Sequence, residues 1–165
     1  MRNFIAAGLG LAILAGLTSV YFARQQAAVA QVIDPTGLII KPSPYTVEET
    51  ETRFMQVLEE QGLNLFATVD HAQNAAGAGL ELRPTRVVIF GNPKAGTPLM
   101  QCKQSIAIDL PQKLLIWEDE LGVVQLAYND PQYLGGRHRL DGCGVQVLKN
   151  ISAALDNLTD GAIAR

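Results

Sequence analysis

The chain has 165 residues, of which 48% are hydrophobic and 18% charged, and its formal net charge is −3. That composition supplies one domain with a core of its own, and the length leaves no room for a second. A mildly acidic chain without basic runs lacks the electrostatic footprint of a nucleic-acid binder, so no nucleic-acid partner is expected.

Met1-Arg2-Asn3 is a short positive segment, followed by an apolar run from Phe4 to Ala23 and then by Ala28-Val29-Ala30-Gln31. The order fits a secretory signal with a small-x-small cleavage step after Ala30, and it predicts an extracytoplasmic, periplasmic protein. The apolar run is also long enough to cross a bilayer, and Arg24 interrupts the approach to the cleavage step. The alternative is therefore a retained anchor that attaches the chain to the inner membrane through Phe4 to Ala23. No cysteine stands at the cleavage step, which argues against a lipoprotein. Residues 1–30 are read as signal or anchor, 31–37 as a linker and 38–165 as the domain.

Leu38 to Lys41 reads as a first strand, stopped by Pro42 and Pro44. Thr46 and Glu49 form a capping box ahead of a helix with Val47, Phe54, Val57 and Leu58 in one stripe, and Gly62 ends it. Alternation of Leu63, Leu65, Ala67 and Val69 predicts a strand with one buried face. Asp70-His71-Ala72 opens a short alanine-rich helix that stops at Gly77 and Gly79, with Asp70 favoured as its N-cap.

Val87 to Phe90 is a buried-type strand that breaks at Gly91-Asn92-Pro93. A helix then reopens with Thr97 as N-cap and Pro98 in its first position. Leu114 to Trp117 and Val123 to Tyr128, joined by Glu118-Asp119-Glu120-Leu121-Gly122, make a β-hairpin. Trp117 lies in the alternating part and reads as core. Asn129-Asp130-Pro131 starts a turn, and Gly135-Gly136 and Asp141-Gly142 frame a loop carrying Arg137-His138-Arg139. A final helix runs from Val145 to Leu158 with Val147, Leu148, Ile151 and Leu155 on one face. The sum is an α+β, two-layer sandwich: one mostly antiparallel sheet with helices packed against it.

Cys102 and Cys143 both lie in the exported part, where an even pair most often forms one disulfide; here it would close a loop of roughly 40 residues. The alternative is thiol or soft-metal handling through Met100, Cys102 and Cys143, although the spacing matches no zinc motif. No cofactor is implied. The acidic run Glu118 to Glu120 lacks a calcium-loop pattern and reads as a solvated face.

Asp70-His71, the stretch from Gly91-Asn92-Pro93-Lys94 to Leu99-Met100, Asp109-Leu110-Pro111, Trp117-Glu118-Asp119, Tyr128-Asn129-Asp130-Pro131 and Arg137-His138 occur in that order. Together they resemble domain-of-unknown-function family 302 over residues 38 to 158. The resemblance implies a small bacterial α+β domain with no established activity, and it supplies no counterpart to Cys102 and Cys143.

Two functional classes follow from the residues. The first is a non-catalytic module whose pocket gathers His71, Asn92, Lys94, Thr97, Arg137 and His138 around a small anionic or amphipathic ligand. Backbone N–H groups ahead of the Pro98 helix, with Lys94 nearby, would hold an anion. The second is a hydrolase- or isomerase-like enzyme with His71 or His138 as acid or base, for which no nucleophile motif is evident. The missing nucleophile favours binding.

Overall fold

The computed structural model describes residues 32–33 and 35–165. The segment expected to be a signal or anchor lies outside the described residues. Strands β1 (Val32–Ile33), β2 (Leu38–Ser43), β3 (Asn64–Asp70), β4 (Thr85–Gly91), β5 (Gln112–Glu118) and β6 (Val124–Asn129) form one antiparallel sheet in the order β1-β2-β6-β5-β4-β3. The helices are α1 (Val47–Glu60), α2 (His71–Gly77), α3 (Pro93–Cys102), α4 (Pro131–Arg137) and α5 (Val145–Ile163), with a 3₁₀ turn at Gln104–Ile108. The expected α+β architecture is present in this part of the chain.

Register explains which side of the sheet is core. Val88 and Phe90 on β4, Leu114 and Ile116 on β5, and Val124, Leu126 and Tyr128 on β6 are buried against Phe54 and Leu58 of α1 and Leu155, Leu158 and Ala162 of α5. Phe54 meets Phe90 edge-on, with ring centroids 5.0 Å apart. Residues of opposite parity, among them Trp117, Leu115, Val87 and Ile89, are half-buried on the other face. Trp117 is therefore not part of the main core.

Several sequence expectations are corrected. The stretch 31–37 is not all linker, because Val32 and Ile33 pair with Ile40 and Ile39. Strand β2 continues through Pro42 to Ser43; the paired residues of β1 reach only to Ile40, so Pro42 sits where a missing N–H can be accommodated at a sheet edge. Strand β3 has no buried face: it is the opposite edge, its register shifts between Leu65 and Ala67, and Leu65 and Phe66 are about half exposed. Arg137 is not in a loop but ends α4, which Asp130 caps by accepting from the Gln132 N–H at 2.9 Å, with Pro131 in the first turn. Helix α5 extends beyond Leu158 to Ile163 because Leu158, Thr159 and Ala162 prolong its buried stripe.

A second, smaller core joins Leu99 of α3, Ile106, Leu140 and Leu148 of α5. Cys102 and Cys143 are disulfide-bonded beside it, with Cα atoms 5.9 Å apart. No free cysteine stands among the described residues, and Met100 packs against this core. The thiol-handling alternative thus loses both of its sulfur nucleophiles in this structure.

Candidate functional site

The site begins at the end of β4. Helix α3 starts at Pro93, four residues before the expected cap at Thr97, because Asn92 caps it: its Oδ1 accepts from the Lys94 N–H at 2.9 Å, and Pro93 occupies the first turn. Thr97 and Pro98 therefore lie inside the helix. The cap also uses up the donors that the anion-cradle expectation needs. Pro93 has no N–H, Lys94 donates to Asn92 Oδ1, and Ala95 and Gly96 donate to the Asn92 carbonyl at 2.9 and 3.1 Å. An anion has no free backbone donor left in that first turn.

Between the ends of β3, β4 and β5 on one side and α3 and α5 on the other lies a cavity of about 270 Å³. Its apolar lining comes chiefly from Phe66, Met100, Leu110, Pro111 and Ile151, and Asn92, Thr97 and Gln112 contribute the polar groups. Gln112 is only 9% exposed, and its side-chain amide makes no hydrogen bond to the described chain. Glycines at 91 and 96 keep the walls thin: a Cβ at Gly96 would come within 3.7 Å of Leu110, and one at Gly91 within 3.7 Å of Phe66 and Pro111.

The second concentration of polar groups lies where the 3₁₀ turn meets the end of α4. His138 Nε2 is 2.6 Å from Asp109 Oδ2, and its Nδ1 is 3.2 Å from Ser105 Oγ. Arg137 Nη1 donates to the other oxygen, Asp109 Oδ1, at 3.2 Å. The His138 and Asp109 side chains are 8% and 11% exposed, whereas Ser105 is exposed. Asp109 is adjacent in sequence to Leu110 of the cavity wall.

The six predicted site residues do not assemble as one pocket. Asn92 and Thr97 line the cavity, Lys94 is exposed on the first turn of α3, and Arg137 and His138 belong to the Asp109 cluster. His71 is exposed at the far end of the sheet edge. Its neighbour Asp70 pairs with Arg86, whereas Asn64 pairs with Gly91, so five residues of β4, roughly 17 Å of strand, separate His71 from the cavity. The favoured reading of Asp70 as a cap holds: Oδ1 accepts from the Gln73 N–H at 2.8 Å and Oδ2 from Arg86 Nε at 3.1 Å. The Gln73 N–H first, with Arg86 assisting against some desolvation, holds the Asp70 carboxyl below its ordinary range.

Sequence reasoning missed Ser105, Asp109 and Gln112 as site residues. Ser105 and His138 are 33 positions apart, and no local pattern brings them together. The acidic run at the hairpin is used structurally. Asp119 Oδ1 accepts from the Leu121 and Val123 N–H groups, both at 2.9 Å, and Oδ2 from Gln125 at 3.0 Å. Among the described residues no group of three or more His, Cys, Asp or Glu side chains is placed to hold a metal ion.

Comparison with known proteins bears on fold and family. The structure is similar to the crystal structure of an uncharacterized conserved DUF302 protein from Bacillus stearothermophilus, with a TM-score of 0.69 at 16% identity, over 76% of this chain and 98% of that one. In sequence, the chain is 42% identical over 134 residues to a protein of Brucella suis biovar 1 named fluoride-specific ion channel FluC 1, covering 79% of this chain and 52% of the relative. A Brucella abortus protein of the same name matches at the same identity, with 49% of its length covered. The chain thus spans about half the length of the curated relatives it matches. The family model described as domain of unknown function DUF302 matches residues 39–158, nearly the whole described part, and the chain belongs to that family.

Proposed function

We propose that this domain binds a small amphipathic molecule in the cavity between the sheet end, α3 and α5. The observation that carries the reading is the lining itself, an apolar wall of Phe66, Met100, Leu110, Pro111 and Ile151 that holds the side-chain amide of Gln112, which makes no hydrogen bond to the described residues. No buried side-chain polar atom among the described residues is unpaired, so this amide meets solvent, and a ligand with a matching donor and acceptor exchanges that water for direct hydrogen bonds, each worth roughly 0.5–1.5 kcal/mol net. A cavity of this size suits roughly ten to fifteen non-hydrogen atoms. Its lining favours an alkyl or aromatic body with an amide, acid or alcohol head. The fully anionic ligand is the weaker version of the expectation, because the α3 cap leaves no free N–H and Lys94 points no charge into the lining set.

The test is an NMR titration of the chain with octanamide. Shifts confined to the residues around Met100, Leu110, Gln112 and Ile151 support the reading, and Ala107→Phe, which fills the cavity from its rim, should abolish them. Shifts that are absent, or scattered over the surface, sink it.

An extracytoplasmic location goes with this reading. It is supported by the order of the N-terminal segment and by a disulfide pair, which persists in oxidising compartments. The mass of the purified native chain tests it: a chain beginning at Gln31 supports cleavage, and an intact N-terminus supports the anchor. We assign the channel activity in the Brucella names to the half of those proteins that this chain does not match. The described residues contain no helix long and apolar enough to cross a membrane.

A further inference from the structure

We propose that Ser105, His138 and Asp109 form a hydrolytic site for small carboxylic esters. The inference stands apart from the cavity reading and rests on other residues. A carboxylate only accepts hydrogen bonds, so the 2.6 Å contact between Asp109 Oδ2 and His138 Nε2 places a ring hydrogen on Nε2. In the neutral ring Nδ1 then carries a lone pair. That lone pair faces the Ser105 hydroxyl 3.2 Å away, a separation typical of a nucleophile and base before substrate tightens them.

The base and its carboxylate are both largely buried while the serine is open, the division that acyl transfer needs. Asp109 is fixed, with its second oxygen held by Arg137 at 3.2 Å; the ring is buried at 8% exposure; the hydroxyl is open to solvent. A clamp between the 3₁₀ turn and α4 explains the Asp109–His138 contact. It does not require a solvent-facing serine on the outer nitrogen. With three residues per turn, Ile108 shares the side of Ser105 and is 74% exposed, which offers an apolar edge to a short acyl group.

In the reaction, Ser105 Oγ adds to the ester carbonyl carbon while its proton passes to His138 Nδ1. The carbon–oxygen bond to the alcohol then breaks, and Nδ1–H returns that proton to the departing alkoxide. Water adds to the acyl-serine, giving a proton to Nδ1. The carboxylic acid leaves as Ser105 Oγ takes the proton back. Ester and water become acid and alcohol with nothing else consumed. Asp109 acts as a positioning residue, keeping the ring's lone pair on Nδ1 and countering the charge that the ring gains.

The test uses an alkyl fluorophosphonate, whose phosphorus–fluorine bond is displaced by an activated serine, with the adduct located by peptide mass spectrometry. One adduct on Ser105 is expected in the folded wild-type chain, with none there in Ser105→Ala, an exposed substitution that leaves the fold intact. His138→Gln should slow labelling by about 100-fold or more. Asp109→Asn should slow it as well, and Asp109→Glu should recover part of the rate, which a purely structural contact would not show. A folded wild-type chain that takes no adduct, an adduct elsewhere, or an unchanged rate in folded His138→Gln overturns the proposal.

Discussion

Lys41 shows how much a single side chain can hold together. It is 3% exposed on β2, and its Nζ lies 2.6 Å from both Asp156 Oδ1 and Asp160 Oδ1 of α5, which are themselves 46% and 62% exposed. Because the acids rehydrate easily, losing the charge alone costs little, whereas losing the stem opens a gap between sheet and helix. Lys41→Met should stay within about 1 kcal/mol of wild type and Lys41→Ala should lose about 2–3 kcal/mol, read by urea unfolding. A larger loss for the methionine variant would show that the ion pairs, not the packed stem, dominate. Nothing local to Leu38-Ile39-Ile40-Lys41 signals this role, since its partners are 115 and 119 positions away. Asp70, by contrast, was legible, because an N-cap is written in the residues next to it.

Among the elements, legibility followed the same rule. The capping box of α1, the β5–β6 hairpin and the stripe of α5 are local patterns, and all three appear. Helix α3 starts earlier than its sequence pattern suggests, and α4 reads as turn and loop, because each begins with an Asn-Pro or Asp-Pro pair that also fits a turn. Exposure of β3 comes from its place at the edge, which alternation within a strand does not encode. In α4 the two glycines differ sharply. A Cβ at Gly135 would lie 2.7 Å from Leu148 Cδ1, while one at Gly136 meets nothing within 4 Å. The same substitution should therefore have opposite signs: Gly135→Ala destabilises by about 1–3 kcal/mol through crowding of the small core. Gly136→Ala stabilises by up to about 1 kcal/mol through helix propensity. Thermal unfolding of the two variants measures this; equal shifts would mean that α4 and α5 do not pack as described.

For the whole molecule, acid response follows from three carboxyls held below their ordinary range. The Thr46 N–H and hydroxyl act on Glu49, the Gln73 N–H on Asp70, and Gln125 with the Val123 N–H on Asp119. A folded-state pKa below the unfolded one gives stability that is present above the unfolded value and is lost as pH falls through the folded value. The domain should hold its unfolding midpoint from pH 7 to about 5 and lose it progressively below about pH 4. A flat profile down to pH 2 would remove these caps and turns from the account. The disulfide spans 41 positions, and its reduction should cost roughly 3 to 4 kcal/mol on the chain-entropy model, seen as a lower midpoint in reductant.

Fold and family were legible in the sequence because several local motifs recur in order along one domain. The cavity was legible only in part: Asn92 and Thr97 were singled out, but Gln112 reads as an ordinary strand residue until β5 brings it under α3 and α5. The most direct test is therefore calorimetric titration of octanamide into the wild-type chain and into Gln112→Leu, which preserves volume and removes the amide. Binding to the wild type that weakens by about tenfold in the variant, with its melting temperature unchanged or raised, is the predicted result. Equal affinity in the two, or no binding to either, would contradict the assignment of the cavity as a ligand site built around Gln112.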